Sequence, residues 1–326
     1  MVKWKKGGQI VAEFRWCFIG AGKLARQVAQ KLRHSGHRIV SVYSRRFEQA
    51  QAFAARTGAA AYRTAEEAVS DVRADGVYVV TPHDSHFAYA KLALEKGIPV
   101  LVEKPLTVNL VQAEELVRLA REKKVYLAEA MWTWFFDCHR EALARVRAGK
   151  LGKILSVRAN YCHRFLHFAP RLVDPARAGG ALLDIGVYPI AYVCRLFGAP
   201  DSVECRGKLR GGIDLCEDVT LFYPDFCARV CVSMTDLRGE FIDVRGEKGR
   251  LFSRNFHHSG RAVFVSEGRR ELLRGAHGMR REFDIVAAEI RAGRTESLCA
   301  PLGDTLAVLA VLDECRRQMG LSYPCE

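Results

Sequence analysis

Three short stretches of this chain bring together residue types that do chemistry. The first, Gly20-Ala21-Gly22-Lys23-Leu24-Ala25, follows the apolar run Phe14-Arg15-Trp16-Cys17-Phe18-Ile19 and precedes apolar positions at Val28, Ala29 and Leu32 spaced for a helix. In that strand-turn-helix setting Gly20 permits the tight turn, Gly22 lets the backbone approach a pyrophosphate, and the small Ala25 lets helix and strand pack closely. The free N–H groups at the helix start favour the anion. The second stretch is in two parts, Thr81-Pro82-His83-Asp84-Ser85-His86 and Glu103-Lys104-Pro105, each placed after an apolar strand-like run. A lysine between an acid and a proline at a strand end reads as a partly buried ammonium able to hold an oxygen or move a proton. A surface lysine in a turn is the plainer alternative. In the third stretch, Gly179-Gly180 opens a helical pattern that carries Asp184 and Tyr188 four residues apart, on one face. A capping aspartate and a core tyrosine would satisfy the same spacing.

The residues after the second strand discriminate between dinucleotides. That strand, Arg38-Ile39-Val40-Ser41-Val42-Tyr43, ends in Ser44-Arg45-Arg46, with no acid to accept the ribose hydroxyls of NAD. An arginine fork with a serine donor suits the 2′-phosphate of NADP. NADP is therefore the expected cofactor.

Composition removes several classes. The chain has 326 residues, enough for two domains with separate cores, and 49% are apolar, which argues against disorder. No stretch approaches eighteen uninterrupted apolar residues, so no membrane role is expected. Met1 to Glu13 lacks the apolar core of a secretory signal, and the eleven cysteines are odd in number and form no C-x-x-C pair. A reducing cytoplasm is the expected location. The net charge of +13 is spread along the chain, not gathered in a block, so a general attraction for anions is expected and no nucleic-acid partner.

The elements that must position these residues alternate. Helical patterns around Gln49 to Thr57, Ala65 to Val69, His86 to Lys96 and Val111 to Lys123 are interleaved with strand patterns at Gly76 to Val80, Pro99 to Val102 and Val125 to Ala128. Such alternation predicts a doubly wound parallel sheet of the Rossmann type over residues 1–130. From about Ile154 the period becomes two, as in Leu155 to Tyr161 and Ala228 to Met234. That predicts, over residues 131–326, an α+β domain with a large, mostly antiparallel open-faced sheet and a closing helix from about Leu302 to Met319. An open sheet face calls for a partner, so a homodimer across the C-terminal sheet is expected.

Taken together, the Gly20 fingerprint, Glu103-Lys104-Pro105, Glu129-Ala130-Met131-Trp132-Thr133, the stretch from Gly179 to Tyr188 and the tail from Asp313 to Pro324 strongly resemble the Gfo/Idh/MocA oxidoreductases. Within that family the chain is most similar to the dimeric dihydrodiol dehydrogenases and related NADP-dependent sugar dehydrogenases. The resemblance implies a Rossmann domain joined to a substrate domain, and a catalytic group of Lys104, Asp184 and Tyr188. It also implies hydride transfer between the nicotinamide and a hydroxyl- or carbonyl-bearing carbon of a trans-dihydrodiol, sugar or polyol. Tyr188, lowered in pKa by the neighbouring ammonium, would accept the alcohol proton while Lys104 holds the oxygen. The reverse assignment, with Lys104 moving the proton, stays open. An NADP-binding sensor or scaffold without turnover is the alternative, but such a protein has no need of the three catalytic side chains.

One departure concerns specificity. Relatives of the dihydrodiol type usually carry arginine after Trp-Thr, where this chain has Trp134 followed by Phe135 and Phe136. Trp132 and Trp134 are candidates for a substrate wall, although such runs also fill cores. His163 is a candidate substrate contact; with His167 it could mimic a metal pair, but no third ligand stands at a natural spacing, and no metal is expected. His86 suits a place beside the nicotinamide or a structural role at a helix start.

Overall fold

The computed structural model describes residues 13–165 and 169–326. Six strands, β1 (Phe14–Ile19), β2 (His37–Tyr43), β3 (Ala60–Tyr62), β4 (Gly76–Val79), β5 (Val100–Glu103) and β6 (Leu127–Ala130), form a parallel sheet in the order β3-β2-β1-β4-β5-β6. Its central strands are covered on both faces, which is why Trp16 to Ile19, Val77 to Val79 and Val100 to Val102 are apolar throughout and buried. The crossover helices are α1 (Lys23–Leu32), α2 (Phe47–Thr57), α3 (Ala65–Val69), α4 (His86–Glu95) and α5 (Leu110–Lys123). Strand order reverses between β1 and β4, and the crevice outside their C-terminal ends is where such sheets take ligands.

The second sheet has eight strands. β7 (Ile154–Cys162), β8 (Ser202–Arg210), β9 (Ile213–Phe222), β10 (Cys227–Ser233), β11 (Gly239–Gly246), β12 (Gly249–Arg254), β13 (Arg261–Ser266) and β14 (Arg269–Arg274) are arranged β14-β13-β12-β11-β7-β10-β9-β8. Only the β7–β10 pair is parallel. One face is packed against α6 (Asp137–Arg147), α7 (Val187–Phe197) and α9 (Leu302–Met319), burying Val157, Ala159, Val230, Val232, Ile242 and Val244. The opposite face carries Arg158, Arg229, Phe241, Phe252, Val263 and Leu272, set across neighbouring strands by the register. Pro175–Phe197 has mean hydropathy 1.4, enough by composition for a membrane span, but 89% of its apolar window is buried inside the protein. It is a core helix.

A helix not expected from the sequence, α8 (Met279–Arg291), returns to the first sheet. Phe283 packs edge-on against Trp16 and Tyr78, with ring centroids 5.0 and 4.9 Å away. His37 Nε2 meets Asp284 Oδ1 at 3.0 Å, and the Leu127 N–H donates to the carbonyl of Thr295 at 3.1 Å. The last fifty residues thus complete the core of the first sheet.

The glycine pair does not open a regular α-helix. Residues Leu182–Gly186 form a π-helical turn that leads into α7. Gly180 has φ +121°, and a Cβ there would lie 2.0 Å from Asp214 Oδ1; one on Gly179 would lie 2.7 Å from the carbonyl oxygens of Arg171 and Leu172. Only glycine permits both approaches. Asp214, fully buried, accepts from the Leu182 N–H at 2.5 Å and thereby fixes the start of the turn. A wider turn of this kind re-aims side chains and recurs at functional sites.

Candidate active site

A cavity of about 1090 Å³ lies along the C-terminal ends of the first sheet's strands. The structure brings to it every position expected to bind the cofactor. Gly20, Gly22, Lys23 and Leu24 line one side; Ser44, Arg45 and Arg46 follow β2; Thr81, Pro82 and His86 follow β4; and Glu103 and Lys104 end β5. Gly20 has φ +118°, and a Cβ there would stand 2.5 Å from the Val80 carbonyl oxygen. A Cβ on Gly22 would meet nothing within 4 Å, and no side chain caps α1, so the first turn of that helix faces open space. Thr81 Oγ1 is buried without a partner among the described residues. Arg45 has no ion-pair partner among them, while the Gln49 carboxamide sits between Ser44 Oγ, at 3.4 Å, and Arg46 Nη2, at 2.7 Å. This donor set fits a dinucleotide carrying an additional phosphate. The arginines and Lys104 stand three strand spacings apart, about 14 Å across the sheet.

His86 plays a structural part. It is buried, with Nδ1 2.8 Å from the Pro105 carbonyl and Nε2 2.9 Å from that of Thr81, so it ties the loops after β4 and β5 together.

At the β5 end Lys104 and Asp184 meet. Lys104 Nζ donates to the Asp184 backbone carbonyl and lies 3.5 Å from its Oδ1. Arg171 Nη1 donates to the same Oδ1 at 2.9 Å, and His83 Nε2 lies 4.0 Å from it. Burial alone would raise the Asp184 carboxyl, but the Lys104 and Arg171 cations outweigh it and hold the group well below the usual carboxylate range. Lys104 is shifted the other way. Burial disfavours its ammonium more strongly than Asp184 supports it, so its pKa is lowered. His83, pushed down to about 3 by burial and by Lys104, is neutral. Neither Arg171 nor His83 stood out as a site residue in the sequence: Arg171 arrives through the glycine-pair turn, and His83 had only its place in the Thr81–His86 stretch as a signal.

Tyr188 lies in the same cluster but does not behave as the sequence suggested. Lys104 Nζ sits over its ring, 4.8 Å from the centroid. Burial, reinforced by Glu103, Tyr161 and Asp184, raises its pKa well above that of a free tyrosine. The expectation that a neighbouring ammonium lowers this phenol is corrected: the cation faces the ring, and carboxylates surround the site. One of them, Glu103, accepts a hydrogen bond from Tyr78, and burial raises its own pKa.

Beyond Tyr188, Trp132 packs edge-on to His257 and His258, at 4.9 and 5.4 Å between centroids, and His163, largely exposed, lies 5.8 Å from Tyr161. The structure does not bring Trp134 to this group. It is buried in a separate small pocket with His139, Tyr192 and Arg195, because the 3₁₀ turn Trp132–Phe135 sends alternate aromatic side chains to different sides. His167 lies outside the described residues.

Comparisons with known proteins identify the family and the fold. Residues 14–131 match the profile of the oxidoreductase family with an NAD-binding Rossmann fold, and residues 139–252 match the GFO/IDH/MocA C-terminal domain. The chain is 33% identical over 330 residues to the trans-1,2-dihydrobenzene-1,2-diol dehydrogenase of Macaca fascicularis, covering 95% of this chain and 98% of that one. It is 31% identical over 313 residues to the D-xylose 1-dehydrogenase (NADP(+)) of Hypocrea jecorina, covering 84% and 79%. A 3-ketoreductase from Actinomadura kijaniata, solved with NADP and TDP-benzene, superposes with a TM-score of 0.83 at 24% identity over 94% of this chain and 98% of that one, a likeness of fold. With both domains matched and a full-length relative at one-third identity, the chain belongs to the Gfo/Idh/MocA oxidoreductase family.

Proposed function

We propose that the chain is an NADP(H)-dependent oxidoreductase that interconverts a hydroxyl and a carbonyl on a trans-dihydrodiol, sugar or polyol. The observation that carries this reading is the Lys104–Asp184–Tyr188 cluster at the β5 end of a cavity whose β2 end holds Arg45 and Arg46. The relatives named above, a dihydrodiol dehydrogenase and an NADP-dependent xylose dehydrogenase, support it.

The cofactor, when bound, supplies the hydride acceptor or donor. Gly20, Gly22 and the first turn of α1 would hold its pyrophosphate, and Ser44, Arg45 and Arg46 its ribose phosphate. The protein's own contribution to the chemistry is the proton. Lys104, lowered by burial, is the group whose amine is available to take the alcohol proton in oxidation and whose ammonium returns it to the carbonyl in reduction. Tyr188, a protonated phenol, donates a hydrogen bond to the same oxygen. Asp184 keeps the lysine in place and supports its charge.

Dissociation constants for NADPH and NADH test the cofactor half of the reading. Arg45→Asp should weaken NADPH by about 1 to 3 kcal/mol and leave NADH nearly unaffected, because a charge-assisted contact to phosphate is lost. Equal losses for both cofactors would remove the assignment. Turnover is tested by NADPH absorbance with trans-dihydrodiols, aldoses and polyols.

We also propose that two copies pair through the open face of the eight-stranded sheet. Phe252, Val263 and Leu272 stand directly opposite one another across three strands, with Phe241 6.3 Å from Phe252, forming an apolar stripe beside Arg158 and Arg250. Phe252→Asp should convert the dimer to a monomer by light scattering; a wild type that is monomeric at micromolar concentration removes the proposal.

A further inference from the structure

Beside Tyr188 stands a histidine that the sequence reading passed over. His257, in the turn after β12, stands 4.4 Å from the Tyr188 ring between centroids. It is held on three sides. Its backbone N–H donates to Glu240 Oε1 at 2.5 Å, its Nδ1 lies 3.1 Å from the Tyr161 hydroxyl, and Trp132 packs on its ring at 4.9 Å. These contacts use the backbone and one ring nitrogen. Nε2 has no hydrogen-bond partner among the described residues, and the neighbouring Trp132 Nε1 is buried with none.

Burial, with His258 and Lys104 adding to it, pushes the His257 pKa down to about 2, so the ring is neutral. A neutral imidazole has two tautomers. If Tyr161 donates to Nδ1, Nε2 carries the proton and donates; if Nδ1–H donates to Tyr161, Nε2 accepts. A hydroxyl can answer either tautomer. Lys104 Nζ and the His257 ring lie 4.8 and 4.4 Å from the centroid of the same Tyr188 ring, so one small substrate can reach both.

Resting on the oxidoreductase reading above, we propose that His257 is a specificity-determining residue that binds a second substrate hydroxyl next to the reacting carbon. The substrate class is then a vicinal diol, or in reduction an α-hydroxy carbonyl. Tyr161 is the positioning residue that sets the His257 ring.

The test compares trans-cyclohexane-1,2-diol with cyclohexanol, using NADP+ and the full-length protein. His257→Phe keeps the aromatic packing and removes both nitrogens, and should lower the diol-to-monoalcohol ratio of kcat/KM about 10-fold or more; His257→Gln, with an amide near the Nε2 position, should restore much of it. Tyr161→Phe gives an intermediate ratio and serves if His257→Phe fails to fold. An unchanged ratio in both His257→Phe and Tyr161→Phe, or no rescue by glutamine, overturns the proposal. Diol binding to the NADP+ complex, followed by tryptophan fluorescence, separates the two readings. A wild type that binds the diol without turnover refutes the oxidoreductase reading, and His257→Phe then still supports or overturns this one through its dissociation constant. A wild type that neither binds nor oxidises the diol overturns it.

Discussion

In the proposed reaction Lys104 and Tyr188 divide the work at the reacting oxygen according to how each feels burial. The same low-dielectric surroundings lower an amine and raise a phenol, so burial favours the neutral, proton-accepting form of Lys104 and the protonated, donating form of Tyr188. Oxidation should therefore gain rate as pH rises through a Lys104 pKa below the usual 10.5. In kcat/KM profiles with one accepted alcohol, Tyr188→Phe should reduce the rate while keeping this alkaline limb, and Lys104→Met should lose about 100-fold and the limb with it. Asp184→Asn removes the charge that supports the ammonium, so the limb should move to lower pH. A limb that disappears in Tyr188→Phe would give the proton to the tyrosine after all. The identities of these residues were legible in the sequence because each sits in a local motif. Their protonation states were not, since those depend on contacts between segments: Glu103 and Tyr161 beside Tyr188, and Lys104 and Arg171 beside Asp184.

Among the elements, the strand-to-helix turns carry the site, and they differ in how openly the sequence declares them. The turn at Gly20 was readable because its constraints are local: a strand, a positive φ and a close approach to Val80. Alternation of apolar runs likewise gave the first sheet and α9, whose bounds match the sequence reading. The turn at Gly179-Gly180 was read as an ordinary helix start, because what widens it is Asp214 on β9, more than thirty residues away. Its consequence is specific. That turn places the segment bearing Arg171 against Asp184, so Gly180→Ala, which forces a side chain into φ +121° against Asp214, should cost about 2 kcal/mol or more in stability and also lower kcat. Thermal melting and NADPH titration on the variant check this, with cofactor affinity expected to survive because α1 is untouched. A variant with wild-type melting temperature and turnover would show that the turn tolerates a regular helix.

On the scale of the whole molecule, the division of the chain into two sheets is simple in space but not in sequence. Strands through Ala130 build the first sheet, yet α8 covers its Trp16 and Tyr78 side with Phe283, and the Leu127 edge is closed by Thr295. Periodicity reveals that a helix is amphipathic, not which of two cores it will join, and for that reason this return was invisible beforehand. It has a consequence in time. Synthesis runs from the N-terminus at about 5 to 20 residues per second, so the roughly 160 residues between the end of β6 and the end of α8 take about 8 to 30 s to emerge. For that interval the nascent nucleotide-binding half presents an uncovered aromatic surface. The first sheet becomes whole only once α8 has left the ribosome.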